Sequence, residues 1–197
     1  MLSVYWKIMS KVEAIFSDPF YHAKIFKWEE KKNKILEIKN TTKLWCPPRE
    51  SIVSDYFRGK EDVHINYSNK IYEILKEDID LVYRKFNVKD YYIRNSWIEV
   101  AHKNMYHGPH NHGALGLSAV CFVKYNPRYH TPTEFISSKG DFNLGNSLTY
   151  VPKGVTEGSL IVFPSRLNHF TLPNGSDVER IILSFNMSKN PHKLYVQ

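Results

Sequence analysis

Three histidines stand within six residues of this chain, and a fourth follows 57 residues after the last of them. The first three are His107, His110 and His112, and the fourth is His169. Because side chains alternate along an extended strand, imidazoles at positions i and i+2 point to the same face. His110 and His112 have this spacing, and a third imidazole from a distant strand would complete one face of a metal's coordination sphere. The pattern indicates a non-haem metal site in a β-barrel.

The size and composition of the chain suit a single β-rich unit. Its 197 residues are 42% apolar and include 13 Tyr, 11 Phe and 4 Trp, which favours a sheet interior over a helical bundle. No run of 18 apolar residues occurs, so we expect no transmembrane helix and no membrane partner.

Cysteine usage and the N-terminal residues bear on the compartment. Cys46 and Cys121 are too few for a disulfide scaffold, and we find no signal peptide, so a reducing compartment is expected. We therefore expect a cytoplasmic protein, in the host cytoplasm if the protein is viral. The net charge of +7 suits nucleic acid, an anionic small molecule or solubility alone.

The first 90 residues contain one clear helix. Apolar residues recur at spacings of three and four between Asn66 and Phe86, which predicts a helix with one apolar stripe. Asn66 or Ser68 is a candidate cap for its start. Before it, Tyr21–Trp28 suits an early strand, whereas residues 10–16 could be helix or strand and residues 29–40 helix or loop.

After residue 90 the pattern changes to that of strands separated by turns. A turn is expected at Gly108-Pro109, another at Pro173–Asp177, and a long loop over 126–145 that would serve as a lid. Trp97, Tyr106 and Tyr125 are candidate pocket aromatics. The predicted strands are Tyr91–His102, Leu117–Tyr125, Ser147–Val151, Ser159–Phe163 and Arg180–Met187.

Arg180 follows His169 by eleven residues across a turn, which predicts two antiparallel strands that bring the two side chains together. A buried guanidinium close to a metal is a bidentate receptor for a carboxylate. Ser184 lies on the same strand face and could add a hydroxyl. Alternatively, Arg180 is a surface residue paired with Asp177 or Glu179.

The segment from Trp97 to Asn186 resembles the iron(II)/2-oxoglutarate-dependent oxygenases. It is similar to a group found in phages and marine bacteria that is related to prolyl hydroxylases. The resemblance is carried by Pro109-His110-Asn111-His112, Leu117–Val120, Gly158–Ser165, His169, Pro173-Asn174, Glu179-Arg180-Ile181 and Ser184-Phe185-Asn186, and the opening Ile15–Phe20 adds to it.

This resemblance implies a mainly β fold with flanking helices and a double-stranded β-helix (jelly-roll, cupin-like) core. We expect one domain over 1–197, in which residues 1–90 support a core at 91–190. The resemblance further implies Fe(II) on His110, His112 and His169, with 2-oxoglutarate bound by Arg180 and Ser184. His112 stands where most such oxygenases have a carboxylate, and His107 is the reserve ligand.

The implied reaction is hydroxylation of an unidentified substrate with O₂, coupled to decarboxylation of 2-oxoglutarate to succinate. A protein side chain, an amino acid or a nucleotide would each suit as substrate, since a fold does not fix its substrate. Two alternatives remain open. One is a cupin-type metalloenzyme that does not use 2-oxoglutarate, and the other is a non-catalytic binding module with a basic surface.

Overall fold

The computed structural model describes residues 17–57, 67–141 and 144–189, and the candidate element at 10–16 lies outside them. Within these ranges the chain forms ten strands and two helices. In chain order they are β1 (Tyr21–Lys24), α1 (Trp28–Thr41), β2 (Val53–Ser54), α2 (Ser68–Lys85), β3 (Tyr91–Ala101), β4 (His107–His110), β5 (Leu117–Lys124), β6 (Glu134–Gly140), β7 (Ser147–Tyr150), β8 (Ser159–Pro164), β9 (Asn168–Thr171) and β10 (Arg180–Lys189).

The strands form two antiparallel sheets. The larger has the order β1-β8-β5-β10-β3-β2, and the smaller has the order β4-β9-β6-β7. Strands β1 and β2, which come from the first 90 residues, join the larger sheet at its two edges. The architecture is mainly β with flanking helices, as the sequence predicts.

Helices α1 and α2 cover one face of the larger sheet. The predicted apolar stripe of α2 is confirmed, since Ile71, Leu75, Ile79 and Val82 are fully buried in one cluster with side chains from the sheet. The predicted capping role of Ser68 is wrong. Its hydroxyl lies 2.9 Å from that of Ser96 and makes no cap; Asn66 lies outside the described residues.

Alternation along the central strands divides the core into two layers. On β10, Ile181, Leu183, Phe185 and Met187 face the helices. Ile182, between them, packs in the second cluster between the two sheets. Strand β5 is buried on both faces, as predicted. Period-two alternation thus turns the even-numbered residues of β10 toward the space between the sheets.

The predicted lid over 126–145 is wrong for its central part, because Glu134–Gly140 forms β6 and pairs with both β7 and β9. The β6 segment contains only two apolar side chains, Phe135 and Ile136, and only Phe135 is buried. A strand with one buried side chain lacks the alternation by which strands are recognised.

The turns around the histidines also differ from those predicted. Gly108 and Pro109 lie within β4, where a proline is tolerated because β4 is an edge strand. His169 lies on its own strand, β9, and not at the end of the strand that begins at Ser159. Strands β9 and β10 belong to different sheets, so the predicted antiparallel pairing of His169 with Arg180 is wrong.

No helix in the described part of the chain is both long enough and apolar enough to cross a membrane.

Candidate metal centre and active site

Three imidazoles converge between the sheets. His110 ends β4 and is directly opposite His169 on β9. His112 follows two residues later, and its backbone N–H donates a hydrogen bond to the backbone carbonyl of Ser165. One ring nitrogen from each of the three lies within 4.8 Å of the others. The Nε2 atoms of His112 and His169 are 3.2 Å apart. Two nitrogens bound at 2.0–2.1 Å to one ion, at angles of 90–110°, lie about 2.8–3.4 Å apart, so this spacing fits a shared metal.

Backbone hydrogen bonds orient two of these rings. Nδ1 of His110 lies 2.8 Å from the carbonyl of Gly108, and Nδ1 of His169 lies 2.9 Å from that of Leu167. A carbonyl only accepts, so each Nδ1 carries the proton and each Nε2 keeps its lone pair. Metal-binding histidines commonly have this arrangement, which fixes both the tautomer and the ring direction.

The surroundings keep all three imidazoles neutral at pH 7. Burial, followed by the neighbouring His110, lowers the pKa of His169 to about 3 and that of His112 to about 4. Burial and the neighbouring His107 also lower the pKa of His110. Neutral imidazole is the form that binds a metal, so the group has the required protonation state without a proton being removed first.

His107, the reserve ligand, lies beside the other three. Its ring stacks on that of His110 at 3.9 Å between centroids, with the planes 18° apart. Its Nδ1 lies 3.2 Å from Oε2 of Glu99. The structure therefore groups His110, His112 and His169 and leaves His107 outside.

Sequence reasoning missed Glu99. This residue is 5% exposed on β3, and its Oε1 accepts a hydrogen bond of 2.7 Å from Nε1 of Trp97. Burial raises the pKa of Glu99, but His107 and Trp97 outweigh it and bring the pKa to about 2. Burial lowers the pKa of His107, and Glu99 raises it above its ordinary value overall. A charged residue inside the apolar run Ile98-Glu99-Val100 was the signal that could have found this pair.

Arg180 is buried, 3% exposed, at the start of β10. Its Nη1 donates a 2.9 Å hydrogen bond to the carbonyl of Thr131, whose hydroxyl has no partner among the described residues. The surface alternative for Arg180 is wrong, because Asp177 pairs with Lys103 and Glu179 with Lys124. Within the described ranges no carboxylate is close enough to Arg180 to form an ion pair.

Two cavities adjoin the histidines. The inner cavity lies between the sheets and measures about 10 Å³. It is lined by all three histidines of the group and also by His107, Glu99 and Ser184. The outer cleft measures about 330 Å³ and reaches the surface past Trp97, His110 and His112. Trp97, one of the predicted pocket aromatics, lines both, whereas Tyr106 and Tyr125 line neither.

The comparisons with known proteins agree with this arrangement. Residues 95–186, nearly half of the chain, match the family model described as "Putative 2OG-Fe(II) oxygenase". A search of curated protein sequences finds no match.

Solved structures of such enzymes share the fold. A Burkholderia pseudomallei oxidoreductase of the 2OG-Fe(II) oxygenase family aligns with TM-score 0.64 and 16% identity, covering 87% of this chain and 84% of that one. A Pseudomonas putida prolyl-4-hydroxylase aligns with TM-score 0.59 and 12% identity, covering 88% and 94%. The viral collagen prolyl hydroxylase of Paramecium Bursaria Chlorella virus-1, solved with 2OG, aligns with TM-score 0.56 and 13% identity, covering 87% and 96%.

The two antiparallel sheets are therefore those of a double-stranded β-helix. With the family match over residues 95–186, this fold makes the chain similar to the Fe(II)- and 2-oxoglutarate-dependent oxygenases over nearly half of its length.

Proposed function

We propose that His110, His112 and His169 hold Fe(II), and that the enzyme hydroxylates an organic substrate bound in the outer cleft. The observation that carries this assignment is the convergence of three neutral imidazoles on the cavity that Ser184 also lines. Bound Fe(II), chelated by 2-oxoglutarate, would supply the activation of O₂ that couples formation of succinate and CO₂ to hydroxylation.

The imidazole set suits this metal. Neutral histidines bind Fe, Zn, Ni and Cu, and a three-histidine face leaves positions open for further ligands. Compared with two histidines and one carboxylate, the set carries one negative charge fewer, so the centre favours an anionic bidentate ligand such as 2-oxoglutarate. Glu99, which pairs with His107 and lines the same cavity as the three histidines, offsets part of this charge difference.

The far carboxylate of 2-oxoglutarate would pair with Arg180. A buried guanidinium without a carboxylate partner is costly unless an anion occupies the site, which is the reason for this assignment. Glu99 and Tyr125 lie close enough to Arg180 to interact with it electrostatically without an ion pair, and the free hydroxyl of Thr131 is a further donor there. Ser184, four residues further along the same face of β10, would donate to the same ligand.

The inner cavity has to widen before 2-oxoglutarate enters, because about 10 Å³ holds roughly one water molecule. The rings of His110, His112 and His169 face one another across this space, at centroid distances of 4.3–5.1 Å.

An anaerobic titration tests the proposal. The metal-free protein receives Fe(II) and then 2-oxoglutarate, and the visible charge-transfer band of the chelate is recorded. We expect the band in the native protein and in Arg128→Ala, an exposed matched control, and its loss in Arg180→Ala at the same ligand concentration.

Other outcomes redirect the assignment. Iron binding without a band would indicate the cupin-type reaction that does not use 2-oxoglutarate. Absence of iron binding would make the histidines structural.

A further inference from the structure

The outer cleft has a wall of aromatic rings beside the histidines. Tyr56 lies 5.1 Å from Trp97 and 5.5 Å from Phe57 between ring centroids, and Trp97 lies 5.1 Å from His112. Tyr56 is 51% exposed, whereas Trp97 is 3% exposed. The ring of Tyr56 is thus open to a ligand, with Trp97 packed behind it and next to the proposed ligand His112.

Hydrogen bonds hold this wall in place. Nε1 of Trp45 donates 2.8 Å to the carbonyl of Phe57, and the backbone N–H of Tyr106 donates 2.8 Å to the carbonyl of Ser51. The first bond fixes the aromatic segment, and the second ties the chain beside Glu50 to the residue that precedes His107. A wall fixed before a ligand arrives reduces the entropy lost on binding.

Glu50 brings a negative charge to this cleft. Its carboxylate makes no ion pair with any described residue, and the described residues that line the cleft include neither lysine nor arginine. Glu50 lines the cleft together with His107 and His110. Arg94, whose charge reaches His112, lies outside this lining.

We propose that the cleft binds a cationic side chain, that of lysine or arginine, and presents its methylene carbons to the metal centre. An ammonium or guanidinium group is attracted both to the face of an aromatic ring and to a carboxylate. The cleft offers both features next to the proposed ligands, in a chain whose net charge of +7 would otherwise repel cations. This substrate class rests on the proposed function, because that function places the reacting centre at His110 and His112.

Binding of four small probes tests the substrate class. The probes are the Nα-acetyl methylamides of lysine, arginine, norleucine and glutamate, and calorimetry measures their binding to the Ni(II)- and 2-oxoglutarate-loaded protein and to the metal-free protein. Norleucine is the neutral counterpart of lysine. We expect the lysine or arginine probe to bind about tenfold more tightly than norleucine, and glutamate to bind most weakly.

Two variants assign the preference to named residues. Glu50→Gln should remove most of the preference for the cationic probe over norleucine, and Tyr56→Leu should reduce this preference about threefold. Glu73→Gln, an exposed control on α2, should retain the preference. Equal binding of norleucine, binding of no probe, or an unchanged preference in Glu50→Gln would each overturn the substrate class. A normal Fe(II)–2-oxoglutarate band alongside such a result confines the failure to the cleft, whereas absence of the band refutes the metal-centre assignment.

Discussion

Glu99 and His107 form a buried ion pair directly behind the proposed ligand His110. Oε2 of Glu99 lies 3.2 Å from Nδ1 of His107, and the His107 ring stacks on that of His110. Glu99 also lines the inner cavity together with His110, His112 and His169. It supplies a negative charge near a set of ligands that has none of its own.

Glu99→Gln should weaken metal binding about tenfold, because second-layer partners of ligating histidines typically contribute a factor of 10–100 to metal affinity. Dissociation constants for Co(II), read from its visible spectrum, measure the effect without turnover. Glu99→Asp should recover part of the loss, and Glu73→Gln should show none. A purely structural role would lower the melting temperature of Glu99→Gln and leave its Co(II) affinity at the native value.

His169→Ala should abolish Fe(II) binding and turnover while the fold persists. The side chain contributes one of three proposed ligands, and two imidazoles alone cannot hold the ion at micromolar concentration. Metal content after gel filtration measures the loss of iron binding, and the far-ultraviolet circular dichroism spectrum shows whether the fold is retained. His102→Ala, which removes an exposed histidine, is the control. Stoichiometric iron in His169→Ala would exclude this residue as a ligand.

Arg180→Lys should raise the 2-oxoglutarate concentration required for half-maximal rate at least about tenfold, with iron still bound. Lysine keeps the charge but loses the two-pronged donor geometry that matches a carboxylate. Ser184→Ala should have a smaller effect, about fivefold, which corresponds to one hydrogen bond. Steady-state kinetics at saturating Fe(II) separates the two variants. An unchanged 2-oxoglutarate requirement in Arg180→Lys would contradict the assigned carboxylate site.

The stability of the metal-free protein should fall as the pH drops from 6.5 toward 4. The folded-state pKa values of His112, about 4, and His169, about 3, lie below the unfolded value of 6.5, so in this window protons bind mainly to the unfolded chain. Once the unfolded form is fully protonated, each of the two histidines lowers the free energy of unfolding by about 1.4 kcal/mol for every pH unit of acidification.

Urea unfolding in the presence of a chelator, at several pH values, measures this slope. His169→Gln should show a shallower slope than the native protein, and His102→Gln the native one. An equal slope in all three proteins would show that the buried histidines are not responsible.

The grouping of the three histidines could be predicted because it depends mainly on the spacing of the histidines along the sequence. The prediction required only that His110 and His112, at positions i and i+2, lie close to His169. In the structure one ring nitrogen of each lies within 4.8 Å of the others. Helix α2 and strand β5 could also be predicted from the sequence. A helix buried along one stripe and a strand buried on both faces each leave a clear apolar pattern.

The rest depended on tertiary contacts that leave little trace in the sequence. Strand β6 buries only Phe135, and β4 contains Gly108 and Pro109, so both segments have the composition of loops. Arg180 was expected to reach the site by pairing with His169, but it faces the interior from the opposite sheet. Glu99 was missed because its partner, His107, had been considered only as a ligand.

Strand β10 has a practical consequence for engineering this enzyme. The strand that carries Arg180 and Ser184 inward also carries Leu183 and Phe185 outward, into the cluster that holds Leu75 and Ile79 of α2. Substitutions chosen to improve thermostability in that helical layer would shift the strand that carries the two residues proposed to bind 2-oxoglutarate. Libraries directed at α2 should therefore be screened for 2-oxoglutarate affinity as well as for melting temperature.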